Sequence, residues 1–486
     1  MRLALVLVLL VACGDKTSRP LTPTLPPSGS DAPVVAPPAP TIEKWSGTVV
    51  LGVSLRDVVV TFTGTGGVWG AKLTIPGAKA EVELTDVTLT AESITFTLAK
   101  AQPQTNEQFQ LARTGDTARG KLSIGGQPFP VRLVKLKPGE APRSAFPRPQ
   151  TPKPPFPYAQ REVSIEAPEA GVIAGTLTIP SGTGPFPAIL LISGSGQQDR
   201  DETIFGHRSF LVIADRLTRD GFVVLRTDDR GTGNTKGELG SLDTDIGDAR
   251  AAFEFLRKQT EVDPKRAGML GHSVGGYIAP VVAARTQKAA FVVSLAGPGV
   301  TGAELSALQI EAMLTMSKLP APAIARIVKA QRSVTAAVVK GNPATIKTVL
   351  RAAMLDNADA MGQPKPADDV MDKIVESKLP ELQNKWTISF FKADPMPAWR
   401  QVKVPVLALN GEKDLQVPAD INLAKIAAAL KGNKRVTTVK RPGLNHLYQH
   451  ATTGLLDEYI EIEETFDPET LDLVSKWLAD VTAKQK

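Results

Sequence analysis

The sequence predicts an α/β protein: a mostly parallel, doubly covered sheet with an inserted helical cap, preceded by a small antiparallel β-domain. Three observations carry that prediction. From Arg161 to the C-terminus, short apolar runs alternate with helical patterns, as a parallel sheet covered on both faces requires. Between Thr301 and Arg400 the pattern changes to helices rich in Ala, Lys and Leu, with breaks at Pro320, Pro343 and Pro364. Before Lys137, β-branched and polar residues alternate between glycine turns such as Gly64 to Gly67, as in a half-buried antiparallel sheet.

The chain has 486 residues, 42% of them hydrophobic, enough for a large core and more than one domain. Net charge is +6. The basic residues are scattered, with no aromatic-interleaved stripe to follow a phosphate backbone, so nucleic acid is not an expected partner. Met1-Arg2 is followed by an apolar run from Leu3 to Ala12, too short to span a bilayer and of signal-peptide form. Residues 1–12 therefore read as an export signal. Leu10-Val11-Ala12-Cys13 resembles the bacterial lipobox, and Cys13 is the only cysteine. That resemblance implies lipidation of Cys13 and anchoring to the bacterial envelope, facing the periplasm or outer membrane, and Gly14 in place of aspartate points towards the outer membrane.

Residues 13–43, rich in proline, read as a tether in extended polyproline conformation. Residues 44–137 read as the β-domain, with strands such as Asp57 to Phe62 and Ser93 to Leu98. A second proline stretch, residues 138–160, reads as a linker. Residues 161–486 read as a separate α/β unit, with the cap at about 301–400. Its strand candidates are Ala188 to Ile192, Phe222 to Arg226, Ala267 to Leu270, Phe291 to Leu295, Val404 to Leu409 and Arg435 to Lys440.

Gly271-His272-Ser273-Val274-Gly275 follows one of these strands and precedes a helical run from Gly276 to Arg285. A bare G-x-S-x-G arises by chance in roughly one such chain in six on average composition; the strand-turn-helix context makes Ser273 a nucleophile candidate. A serine hydroxyl needs a base, and the base an orienting carboxylate. Of four histidines, His446 lies in a loop after the last strand candidate and is the expected base, with His450 in reserve. His207 precedes the expected position, and His272 is expected to point away from the nucleophile. Asp414 follows the strand Val404 to Leu409 and is the expected acid, with Glu412 the alternative. The order Ser273, Asp414, His446 is that of the α/β-hydrolase fold.

Acyl transfer also needs donors for an oxyanion. The N–H of Val274 is expected to supply one, and Ser193-Gly194-Ser195-Gly196 is placed for the other, with Ser195 preferred to Gly196. Gly231-Thr232-Gly233 lacks the third glycine and following helix of a dinucleotide site, and Asp228-Asp229-Arg230 reads as a structural turn. No cofactor and no metal are expected.

Pro155-Phe156-Pro157-Tyr158, Gly194 to Asp201, Asp228-Asp229-Arg230-Gly231 and the Ser273 motif occur in the order found in bacterial α/β-hydrolase acyl esterases, which the chain resembles from about Gln150 onward. Trp69-Gly70 to Pro76-Gly77 resembles that group's N-terminal module. The resemblance implies a cofactor-free carboxylesterase acting on a small-molecule acyl ester through Ser273, Asp414 and His446. Val274 departs from the group, which commonly has glutamate there. The competing readings are a thioesterase or prolyl-oligopeptidase-like peptidase on the same triad, and a non-catalytic surface-binding lipoprotein.

Overall fold

The computed structural model describes residues 39–78, 81–98, 107–125, 127–167 and 171–483. Cys13 and residues 1–12, expected to be an export signal, lie outside them. The described residues fall into two units, divided at Pro147 and Arg148 apart from the short loop 204–206.

The first unit is a closed barrel of eight antiparallel strands: β1 (Thr41–Leu51), β2 (Ser54–Thr65), β3 (Val68–Thr74), β4 (Glu81–Leu89), β5 (Ser93–Leu98), β6 (Gln108–Thr114), β7 (Thr117–Ile124) and β8 (Gln127–Lys135). Closure comes from β1, which pairs with both β2 and β8. Alternate residues of all eight strands, among them Trp45, Phe62, Phe96 and Phe109, fill the interior. Phe96 and Phe109 stack at 4.4 Å. Two expected boundaries move. Thr41 to Glu43, assigned to the tether by composition, already pair with β2. Nor is the second proline stretch one linker. Ser46 Oγ accepts the Arg143 N–H at 2.9 Å, which ties that end to the barrel. Arg148 donates to the Ile460 carbonyl at 2.9 Å and Gln150 exchanges bonds with the Phe466 backbone, which tie the other end to the second unit.

The second unit is built on an eight-stranded sheet. Its strands are β9 (Ala159–Ala167), β10 (Gly171–Ile179), β11 (Phe186–Ile192), β14 (Val223–Thr227), β15 (Val262–His272), β16 (Val292–Leu295), β17 (Val406–Gly411) and β18 (Val436–Arg441). Between β11 and β14 lie the two-residue strands β12 (Thr203–Ile204) and β13 (His207–Arg208). The spatial order is β9-β10-β14-β11-β15-β16-β17-β18. β10 runs antiparallel to both neighbours, and the sheet is parallel from β14 to β18.

Both faces are covered, which explains the continuous apolar runs. On one face Ala188, Leu190 and Ile192 pack with α2 (Leu242–Arg257), α3 (Gly275–Thr286) and α10 (Ala419–Ala429). On the other, Ile189 and Leu191 pack with α1 (Ser209–Arg219) and α12 (Pro468–Thr482). The short α11 (Glu458–Glu461) precedes α12.

Between β16 and β17 the chain leaves the sheet for six helices: α4 (Gly302–Met316), α5 (Ala321–Lys340), α6 (Pro343–Ala360), α7 (Asp368–Gln383), α8 (Lys385–Lys392) and α9 (Met396–Gln401). Pro320 caps α5 and Pro343 opens α6, positions where a missing N–H costs no helical bond. α8 is fastened to α2. Trp386 Nε1 donates to Asp245 at 2.7 Å, and Ser389 Oγ accepts the Leu242 N–H at 2.8 Å.

Candidate active site

Ser273 sits between β15 and α3 with φ +54°, a left-handed conformation that a non-glycine residue adopts only where its surroundings enforce it. Two glycines make the turn possible. A Cβ on Gly271 would lie 1.9 Å from the Gly275 carbonyl oxygen, and one on Gly275 would lie 2.1 Å from that of Ile192. The Ser273 N–H donates to Leu295 of β16 at 2.8 Å. Val274 caps α3, so its N–H lies outside the helical ladder, while its side chain is buried in the core.

Asp414 and His446 meet at the carboxyl end of the sheet. His446 Nδ1 lies 2.8 Å from Asp414 Oδ2, and both residues are buried. Asp414 is fixed from behind, because its Oδ1 accepts the N–H groups of Gln416 and Val417 at 2.8 Å each. Asn445 Oδ1 accepts the N–H groups of Leu447 and Gln449 at 3.0 Å, which tightens the turn that carries His446. With a carboxylate against Nδ1, the proton is assigned to that nitrogen and Nε2 is left as the basic atom. Burial, the largest influence, pushes the His446 pKa below its ordinary value against the pull of Asp414, and the neighbouring His272 adds to the lowering. A neutral imidazole is the state a general base needs.

The alternatives lie elsewhere. His450 is exposed and pairs with Glu464 at 2.9 Å. Glu412 accepts the Gly443 N–H at 2.9 Å. His207 is buried between Thr465 and the Tyr459 carbonyl, and burial, helped by Arg148, pushes its pKa down to about 3.

The loop after β11 comes up against the nucleophile: a Cβ on Gly194 would lie 3.2 Å from the Ser273 Cβ. The motifs that accompany Ser273 in sequence hold this loop. Asp229 accepts bonds from Ser193 Oγ at 3.0 Å and the Gln198 N–H at 2.9 Å. Asp228 is clasped by the Arg200 guanidinium at 3.0 and 2.7 Å, and Arg230 pairs with Asp248 at 2.6 Å. Gly231 and Gly233 take positive φ in a tight turn, and α2 begins only at Leu242.

His272 has partners that the sequence does not show. Its ring is buried 4.8 Å from that of His446 and bonds to Glu202 and to the His446 carbonyl, since β15 ends beneath the histidine loop. Glu202 stands in a run of charged residues, Asp199-Arg200-Asp201-Glu202, where composition does not show which carboxylate meets His272.

A hydrolase family model described as serine aminopeptidase, S33 matches residues 207–448, a span that contains Ser273, Asp414 and His446. The esterase EstD of Thermotoga maritima is 36% identical over 144 residues, 29% of this chain and 33% of that protein. An uncharacterized protein of Mycobacterium tuberculosis is 32% identical over 151 residues, 31% of this chain and 50% of its own. The chain thus spans between a third and a half of the length of these relatives. Among solved structures, a Pyrococcus furiosus esterase aligns with a TM-score of 0.42 and 15% identity over 67% of this chain and 92% of that one. A hypothetical protein from Pseudomonas aeruginosa aligns with a TM-score of 0.43 and 17% identity over 68% and 96%. The strand order, the glycine-enforced turn at Ser273 and the family match together identify the unit that begins at Arg148 as an α/β-hydrolase fold preceded by an antiparallel β-barrel.

Proposed function

We propose that the protein hydrolyses carboxylic esters through an acyl-enzyme on Ser273. His446 Nε2 takes the Ser273 Oγ proton as Oγ attacks the ester carbonyl carbon, and the N–H groups of Val274 and Ser195 receive the oxyanion. The alkoxy group leaves with the proton returned by His446, and water then repeats the sequence to release the acid. The observation that carries this reading is the buried pair of His446 and Asp414 at 2.8 Å, on the same sheet edge as a serine held at φ +54°.

A fluorophosphonate probe is expected to label the purified protein on the tryptic peptide that contains Ser273. Labelling elsewhere, or none, would sink the reading. The match to a family described as serine aminopeptidase favours a second reading, amide hydrolysis on the same residues. Turnover of matched ester, thioester and aminoacyl-amide substrates separates the two, and the ester is expected to be cleaved fastest. Lipid anchoring at Cys13 is part of the proposal. An acyl mass increment on the N-terminal peptide is its expected sign, and an unmodified peptide that starts at Met1 counts against it.

A further inference from the structure

Behind Ser273, both ring nitrogens of His272 face acceptors. Nε2 lies 3.0 Å from the carbonyl oxygen of His446, and Nδ1 lies 2.9 Å from Glu202 Oε1. A carbonyl oxygen can only accept, so Nε2 carries a proton. A neutral ring with its one proton there would set the lone pair of Nδ1 against a carboxylate oxygen. The geometry therefore needs one more proton between Nδ1 and Oε1 than a neutral imidazole and a carboxylate supply.

Glu202 Oε1 also accepts the Gly194 N–H at 2.7 Å, in the loop that abuts Ser273 and continues into Ser195. We propose that Glu202 is a positioning residue of the acyl-transfer site: it keeps His272 doubly protonated and through it ties the Gly194–Ser195 loop to the loop that carries His446. The inference rests on the acyl-transfer reading of Ser273.

Three further observations fit this role. Glu202 is buried, its Oε2 has no hydrogen-bond partner among the described residues, and its ion pair among them is with His272. Its backbone is held at φ +50°, in the region where strain gathers at functional sites. Burial, the largest influence on His272, opposes its charge, yet Glu202, the His446 carbonyl and Asp414 hold it above the ordinary histidine value. His446 responds in the opposite sense, so of two adjacent imidazoles His272 is favoured as the charged one and His446 as the neutral one.

Four histidines make side-chain nitrogen-15 spectra assignable. At pH 7 both His272 ring nitrogens are expected in the protonated range, and in Glu202→Gln one of them is expected to lose its proton, because the amide cannot balance the charge. Fluorophosphonate labelling of Ser273 is expected to slow about 10–100-fold in that variant, the effect of a small misplacement of reacting groups, while ester KM stays within about two-fold. A singly protonated His272 in the wild-type protein overturns the proposal, as does a Glu202→Gln variant labelled at the wild-type rate. Should that variant not fold, the wild-type spectrum still decides. Absence of wild-type labelling at Ser273 instead overturns the acyl-transfer reading, and with it any positioning role, whatever the spectrum shows.

Discussion

Ser273→Ala is expected to lower kcat for an activated carboxylic ester by about a million-fold, the scale seen when the nucleophile of a working triad is removed. The fold is expected to survive, because alanine and serine pay a similar cost for φ +54°, both having a Cβ. Asp414→Asn is the more discriminating change. Oδ1 accepts two backbone N–H groups, and the asparagine oxygen is held there by the same donors. Its NH2 group then faces His446 Nδ1, which must accept, and the ring proton moves to Nε2. The base is lost although the side chain keeps its shape, and kcat is expected to fall about ten-thousand-fold. An Asp414→Asn variant with near-native turnover would transfer the orienting role away from Asp414.

The same geometry sets the pH profile of the wild-type protein. Only neutral His446 can take the Ser273 proton, so kcat/KM falls as pH drops through the pKa of His446 in the free enzyme. Burial sets that value below the ordinary one, and activity is expected to persist below the range where an exposed histidine becomes charged, about pH 6.5. The groups facing the ring are Asp414, His272 and Glu202. Asp414 raises the pKa, so in Asp414→Asn the His446 ring is expected to become charged at a lower pH, read from its side-chain nitrogen-15 shifts.

The placement of Ser273, Asp414 and His446 at one sheet edge was legible because Ser273 and Asp414 follow buried apolar strands and His446 follows a β-branched strand, Val436–Arg441. β15, β17 and β18 run parallel, and the residues beyond their carboxyl ends are delivered to one edge wherever the helices between them lie. The helical insertion was legible for a similar local reason, a change of period bounded by prolines. What was hidden depends on contacts distant in sequence. Closure of the barrel needs β1 to pair with β8, as Ser46 does with Val134, and alternation within a strand does not say which strand lies next to it. The division of the second proline stretch rests on the grip of Gln150 on Phe466. Nor does the sequence show why Glu202 differs from its neighbours. Asp201, also buried, pairs with Arg226 and Arg208 and Asp199 caps the backbone of Thr203, which leaves Glu202 as the carboxylate that meets His272.

Gly275→Ala is expected to damage both stability and activity, whereas Gly247→Ala is expected to spare both. A Cβ on Gly275 would stand 2.1 Å from the Ile192 carbonyl oxygen and 2.6 Å from that of Ser193. Neither oxygen belongs to a side chain that can swing aside. Ile192 ends β11, which pairs with β14 and β15, so relief requires the elbow to lift from the sheet. Overpacking of this kind costs about 3 kcal/mol, a drop in melting temperature of about 4 °C for a domain of this size. Lifting the elbow also shifts Ser273 relative to His446 and the Gly194 loop, and such shifts cost about a hundred-fold in rate. On Gly247, in the middle of α2, a Cβ would meet nothing within 4 Å. There alanine gains about 1 kcal/mol of helix propensity, and melting temperature is expected to rise slightly with turnover unchanged. Melting curves and ester turnover measured on the two variants together separate a glycine required by the elbow from one that the helix merely tolerates. A Gly275→Ala protein as stable and active as the wild type would mean that the turn is looser than its contacts require, and the strained serine would lose its structural cause.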